Sequence, residues 1–430
     1  MFLKPAKVIL FASLPFWGNA NLFAQNISRP FENNPYSRYG IGAEASGLNP
    51  ALKAMGGATA AFVDPYIINT DNPASYASIK NVSYEGGAEG RKNTISSGNN
   101  TYQTGTANVA YLNFAIPLGK HAGMLLGFKP QSIVSYQLYD TIQSLIGSSA
   151  LSYNGTGGTN YFFMGGAAKY KGLSIGANLG YLFGTIAQSS WIKTLSTTAS
   201  LSNSEFLRVN SIGGLYAKLG LLYEAKLAKD YSLTFGANAN LKQNVTSQIN
   251  EYWISHPFYA SDTSGADTAY KTDGSKGKLT LPTTYNLGLV LSNGDKWNLS
   301  LSYQGRNWAQ FKNQNLKDSI GSSTYRMSIG GSYTPNALSI YNYWQRVTYR
   351  LGCYMGKDYV QINQYQMSYY GASLGLSLPF KRSNDRIHTA IEFGRMGNKG
   401  QGNGFQQNFV RFSLGLSFSN NTWFIKRKYD

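Results

Sequence analysis

The residues with the most chemical potential in this chain are few. His121, His256 and His388 are the only histidines and Cys353 is the only cysteine, against 20 acidic residues in 430. A metal centre needs three or four His, Cys, Asp or Glu ligands, usually with two at short spacing. Each histidine stands alone in its stretch, so no metal and no cofactor is expected. A serine nucleophile needs a histidine to activate it and a carboxylate to orient that histidine. Serines are abundant, but no histidine is expected to gain a carboxylate partner from strand register, and no catalytic residue is assigned. Cys353 reads as a small strand residue, and alone it can form no internal disulfide.

Two prolines carry more information. In "INTDNPASYASI", residues 68 to 79, Asn72 can accept backbone N–H bonds, Pro73 fixes φ and lacks a donor, and Ala74 follows, as at a helix or turn boundary. In "LLGFKPQSIV", Pro130 interrupts an apolar run beside Gly127 and Lys129. A proline inside a strand leaves a ladder bond unmade, so a bulge is expected there.

The elements that must position these residues follow from composition and period. Charged residues are 13% of the chain, aromatics 14%, and glycines number 47; soluble domains carry about 25% charge. Beyond residue 24 no run of 18 apolar residues exists, which excludes helical membrane spans, and a closed barrel is the other way across a bilayer. Past residue 80 the period is two. In "VRFSLGLSFS", Val410, Phe412, Leu414, Leu416 and Phe418 fall on one face, and Arg411, Ser413, Gly415, Ser417 and Ser419 on the other. A polar face of Gly, Ser, Asn and Thr suits a lumen, and the apolar face suits lipid. Turn residues punctuate fourteen such strands between 81 and 419. The expected fold is all-β, a 14-stranded antiparallel transmembrane β-barrel. Parity places "PLGKH", "YKG", "AKD" and "NGDK" as periplasmic turns and long links near 92–104, 139–156, 254–276, 312–322 and 398–406 outside. Residues 172–202 are long enough for two strands, and the 336–344 link is long for a turn. A barrel of this width needs filling or stays open, and residues 25–80 are the natural N-terminal hatch, a plug inside the lumen.

Residues 1–24 have the form of a secretory signal peptide: Lys4 and Lys7, an apolar "VILFASLPFW", and cleavage after Ala24. Removing Lys4 and Lys7 takes 38 basic residues to 36 against 20 acidic, lowering the net charge from +18 to +16. The basic residues (Lys120, Lys171, Lys229, Lys296, Lys381, Arg382) lie between strands rather than in a stripe, so outer-membrane lipid and lipopolysaccharide phosphates are the expected partners and nucleic acid is not. The C-terminal tail, 420–430, ends in "WFIKRKYD" and reads as an interfacial anchor, an assembly signal or a solvated end.

"GLNPALKAMGGATAAFVDPYIINTDNPASYASI" resembles the hatch of the outer-membrane long-chain fatty acid transporter family, FadL and its toluene-transporter relatives. "LPTTYNLGLVLSNGDKWNLSLSYQGRNWAQF", "YRMSIGGSY", "VTYRLGCYMG" and "SLGLSLPF" resemble its later strands. The resemblance implies fourteen strands, a hatch, and passive passage of hydrophobic molecules such as fatty acids, with lateral exit through a kinked third strand into a bacterial outer membrane. It makes Asn72, Pro73 and Ala74, with Gly56 and Gly57, either fixed parts of the hatch or a gate, and Gly127, Lys129 and Pro130 either an ordinary bulge or the exit. The other expectation is a non-transporting structural or protein-secretion-associated barrel that binds partner proteins at its extracellular loops. The chain departs from the family in running on past its last strand.

Overall fold

The computed structural model describes residues 33–420 apart from 99, 145–146, 196–201, 228–229, 258–264, 315–317, 319, 363, 382 and 398–404. The expected signal peptide, the first hatch residues and the tail after Asn420 lie outside the described residues.

Alternation builds the wall. In the last strand, Phe405–Asn420, Phe412, Leu414, Leu416 and Phe418 are 39–51% exposed on the outer face, whereas Ser413 and Ser417 are at most 2% exposed on the inner one. The strands in chain order are β1 (Ala43–Glu44), β2 (Val82–Ser97), β3 (Asn100–Pro117), β4 (Ala122–Ser144), β5 (Gly147–Tyr170), β6 (Leu173–Thr194), β7 (Asn203–Lys226), β8 (Tyr231–Asn240), β9 (Gln243–His256), β10 (Asp267–Leu281), β11 (Thr284–Asn293), β12 (Trp297–Arg306), β13 (Lys312–Asn313), β14 (Thr324–Tyr333), β15 (Thr348–Ile362), β16 (Tyr365–Pro379), β17 (Arg386–Gly397) and β18 (Phe405–Asn420). β8 and β9 are halves of one barrel strand broken at Leu241–Lys242. β10 and β11 are halves of the next, broken at Pro282–Thr283. The breaks face each other, since Asn240 pairs with Thr284 and Gln243 with Leu281. β18 closes on β2 from Phe405↔Ser97 to Asn420↔Val82. With the halves joined, β13 taken as the continuation of β12, and β1 inside, the barrel has the fourteen antiparallel strands expected.

Residues 172–202 hold one strand, β6, and the 336–344 link leads into a one-turn helix, Tyr343–Arg346. Two links expected as long outer loops are instead strand: β2 and β3 meet at 98–99, and β4 and β5 at 145–146. Above the lipid both faces of a strand meet water, so the alternation that marks a strand disappears and a stretch such as Gly147–Tyr153 reads as loop. β4 to β7 are 22 to 24 residues long, whereas about 9–11 cross a bilayer. At ~3.3 Å per residue these four strands continue about 40 Å beyond it.

The segment from Asn33 to Asn81 fills the barrel. It contains β1, a short helix at Pro50–Lys53 capped by Asn49, and a 3-10 turn at Pro73–Ser78 capped by Asn72. Leu52, Met55, Phe62, Ile68, Ala74 and Tyr76 are buried. The wall receives them with inward glycines: Gly123, Gly176, Gly220, Gly236, Gly330 and Gly352 each lie where an added Cβ would strike plug backbone or side chain, the one at Gly176 landing 2.6 Å from Pro73 and Ala74.

Candidate functional site

Asn72 is wholly buried. Its Oδ1 accepts from Ala74 N at 3.1 Å, while its Nδ2 lies 2.5 Å from Ala60 O, 3.2 Å from Leu221 O and 3.4 Å from Ala237 O. One side chain therefore caps the 3-10 turn, crosses the plug and reaches β7 and β8 of the wall. Pro73 is the first residue of that turn, where a missing N–H leaves no bond unmade. Gly56 and Gly57 follow the short helix with φ of +67° and +73°, conformations that suit glycine. Gly56 N donates to Ser373 Oγ at 3.0 Å and its carbonyl accepts from Arg326 Nη2 at 3.0 Å. These two groups of sequence-predicted residues occupy different contacts of the plug seat. Asn72→Ala strips a cap and the bonds to both strands, so the thermal midpoint of the purified barrel is expected to fall by the equivalent of about 2 kcal/mol.

Charge crosses the same seat. Asp71 pairs with Lys218 of β7 and also accepts from Thr59 Oγ1. Lys53 pairs with Glu89 of β2, and Glu44 with Arg306 of β12 through bonds of 2.9 and 3.0 Å. Burial pushes the Asp71 carboxyl up, but Lys218 more than reverses it and holds it well below the carboxylate range; against the opposing effect of burial, Glu44 is lowered by Arg306. Burial lowers Lys53 against the opposing pull of Glu89. A cavity of about 290 Å³ lies between the plug and the wall, bordered by both Glu44 and Thr70 of the plug, and Asp71, Lys129, Lys218, Arg306, Arg326 and Glu392 are among its lining groups.

The wall is split beside this cavity. β3 and β4 pair only from Pro117↔Gly123 to Leu112↔Phe128. Immediately above, the register of β4 with β5 shifts between Pro130 and Ser132, the bulge expected at Pro130. Lys129 and Gln131 border the cavity. Gly127 does not face the opening, because it still pairs with Asn113 and the Phe163 ring fills its inner side. Two stretches of one strap, residues 33–34 and 43–45, line the β4 side of the split, and the chain between them reaches away from it at Gly40. Asn34 N donates to Ser135 O at 2.8 Å, Ala45 N to Gln131 O at 3.1 Å, and Ala43 pairs with Ile133. At the top, Asn33 bridges the two strands, from Thr104 Oγ1 of β3 at 3.1 Å to Gln137 O of β4 at 2.8 Å. The strap then crosses to the far wall, where Gly40 N meets Asp318 at 2.6 Å and Tyr359 OH donates to Gly42 O at 2.7 Å.

Sequence reading missed three contacts. Strap and far wall are about three hundred positions apart, beyond any local signal. His256 does gain a carboxylate, Glu205 at 3.3 Å, because β9 folds back on β7. His388 meets Ser377 directly across β16 and β17 at 2.6 Å, through Nδ1 and beside Arg350; both side chains are buried and no carboxylate bonds the other ring nitrogen. The expectation that the chain has no G-x-S-x-G is wrong: the spacing occurs at Gly172–Gly176 and Gly371–Gly375. Ser174 and Ser373 lie buried inside β6 and β16, not at the strand-to-helix turn that exposes a nucleophile. Among the described residues no three His, Cys, Asp or Glu side chains cluster as metal ligands.

A family model described as BamG matches residues 7–430. No curated protein sequence matches the chain. Its fold is similar to those of the Pseudomonas putida toluene transporter TodX (TM-score 0.56, 16% identity, 88% of this chain and 99% of that one) and a Pseudomonas aeruginosa FadL homologue (TM-score 0.55, 14% identity, 86% and 98%). It is likewise similar to the CymD monoaromatic hydrocarbon channel (TM-score 0.54, 16% identity, 88% and 99%). At these identities the likeness is one of fold alone.

Proposed function

Since this chain belongs to the BamG family, whose match runs through plug and wall alike, we propose that it is a bacterial outer-membrane barrel that binds partner proteins and whose lumen serves to hold the plug. The observation that carries this reading is the charge inside. A hydrophobic molecule moving toward the β3–β4 split would leave lipid-like surroundings for Asp71, Lys129, Lys218 and Arg306, surroundings that suit water and ions better than hydrocarbon. The tall sheet of β4 to β7 offers a surface outside the bilayer, with Tyr139 71% and Ile142 43% exposed upon it, and exposed apolar groups of this kind favour protein contact.

A second reading, a channel for hydrophobic small molecules, is favoured by the split itself. A bulge at Pro130 and an opening in the third barrel strand are what lateral exit into lipid requires, and the hydrocarbon transporters named above share the fold. Fatty acids are the finer form of this reading.

Toluene and oleate uptake by cells with and without the gene, set beside the size of the tagged chain extracted in mild detergent, separates the two. The expected result is unchanged uptake and a chain that leaves the membrane with a partner in constant ratio. Reduced uptake by the deletion strain, with a chain that purifies alone, would overturn the partner-binding reading in favour of the channel.

A further inference from the structure

The two lips of the split are not alike. The β4 lip is met by residues 33–34 and by backbone from 43–45, as described. The β3 lip is not: among the described residues, no strand pairs with β3 between Gly105 and Tyr111 on the side away from β2, although β2 pairs with it throughout most of that stretch. An uncovered strand edge is a row of N–H and C=O groups pointing sideways. Part of this row lies within the apolar belt. The lipid-facing Leu414 and Phe412 of β18 stand opposite Ala88 and Gly90 of β2, which pair in turn with Val109 and Ala107 of β3. Lipid tails cannot satisfy such groups, which is why membrane barrels close.

The outer face next to this lip also differs from the rest of the belt. Residues directly opposite one another in an antiparallel pair share a face, so Ala88, Gly90, Ala107 and Val109 all point outward with Leu414 and Phe412. Elsewhere the belt carries large side chains such as Leu179, Tyr181, Phe235 and Leu287. Low relief beside an open edge lets another backbone come close. The same slot already holds polypeptide, since Ala43–Glu44 pairs antiparallel with β4 along its opposite lip and Asn34 and Ala45 donate to Ser135 and Gln131 there.

We infer that the Gly105–Tyr111 edge of β3 is the seat of a strand from a partner protein, an extended segment that adds to the wall by backbone hydrogen bonding. Main-chain bonds supply the hold in this mode, and alternate side chains of the guest supply selectivity. This rests on the partner-binding reading and names the element that does the binding.

The test places a photo-crosslinkable benzoylphenylalanine at Gly105, Ala107 or Val109 in the full chain in its own membranes, with Leu179 as an outward control. A strand seated on this edge gives crosslinks from the three positions that fall two residues apart along one stretch of a different protein, and none from Leu179. Crosslinks to residues preceding Asn33 of the same chain, to a second copy, or to lipid alone would overturn the inference. Proline tests it separately. Backbone N–H groups alternate between the β2 side and the open side, so one of Thr106→Pro and Ala107→Pro leaves the β2 ladder whole. That variant keeps heat-modifiable migration and is expected to lose the partner; a folded proline variant that still retains the partner sinks the proposal. If a partner is bound but crosslinks only elsewhere, this edge is wrong and partner binding stands. If the chain purifies alone and its deletion reduces toluene uptake, the reading beneath it fails.

Discussion

Gly220→Val is expected to leave the chain without its heat-modifiable folded form. The side chain would point inward at the place where the plug is held most closely: an added Cβ lands on Asn72 Oδ1, 2.7 Å from Pro73 Cδ and 3.0 Å from Ala74 N. Overpacking a tight site ordinarily costs about 1–3 kcal/mol. Here the obstacle is largely backbone that is itself tied to β7 and β8 through Asn72, so relief requires moving the plug. Gly166→Val is the control, because its added Cβ comes no nearer than 4.0 Å to Gly123 O. Comparing boiled and unboiled samples of each variant on a gel gives the answer; a normally folded Gly220→Val barrel would mean that the plug floats.

Much of the wall is legible in the chain because lipid on one side and a polar interior on the other impose a period of two. The alternating stretch "VRFSLGLSFS", residues 410–419, lies within β18. Legibility ends where that asymmetry ends. Ser144 and Gly147 are strand although nothing about them alternates with a membrane, and the broken strands at Leu241–Lys242 and Pro282–Thr283 look continuous in sequence. The plug seat was half legible. Asn72 and Gly56 stand out because turns and left-handed φ demand particular residues. Their partners do not, since nothing local in the sequence of β7 or β2 says that Lys218 and Glu89, among the charges on those strands, are the ones that meet the plug.

Asp71→Asn is expected to reduce stability by about 3–5 kcal/mol, the usual result of leaving one member of a buried ion pair alone. Asp71 and Lys218 side chains are only 16% and 13% exposed, and Asn286 Nδ2 also donates to Asp71 at 2.9 Å. The double variant Asp71→Asn, Lys218→Met is expected to recover most of the loss, because no uncompensated ammonium remains. Thermal unfolding of the three proteins in one detergent measures both effects. The pH dependence has a definite sign. The folded carboxyl is held below its unfolded value, so its contribution is fully present above pH ~3.9. It fades only as pH falls through the lower folded value. The wild-type protein should therefore lose stability in strong acid more steeply than Asp71→Asn.

Glu85 ties together parts of the chain that arrive at different times. Its carboxylate, on β2, accepts from Asn49 Nδ2 at 3.1 Å, from Ile68 N at 3.1 Å and from Ser417 Oγ at 2.8 Å. Asn49 and Ile68 belong to the plug, and Ser417 to the final strand. A ring made from one chain must meet its own beginning at such a seam, and here the meeting point is occupied by a group that is content only when plug, first strand and last strand are all present. A barrel that closed around a misplaced plug would bury that carboxyl group with donors missing, at a cost of about 1–3 kcal/mol. The seam thus discriminates between correct and premature closure, and the order of synthesis is turned into a condition on completion.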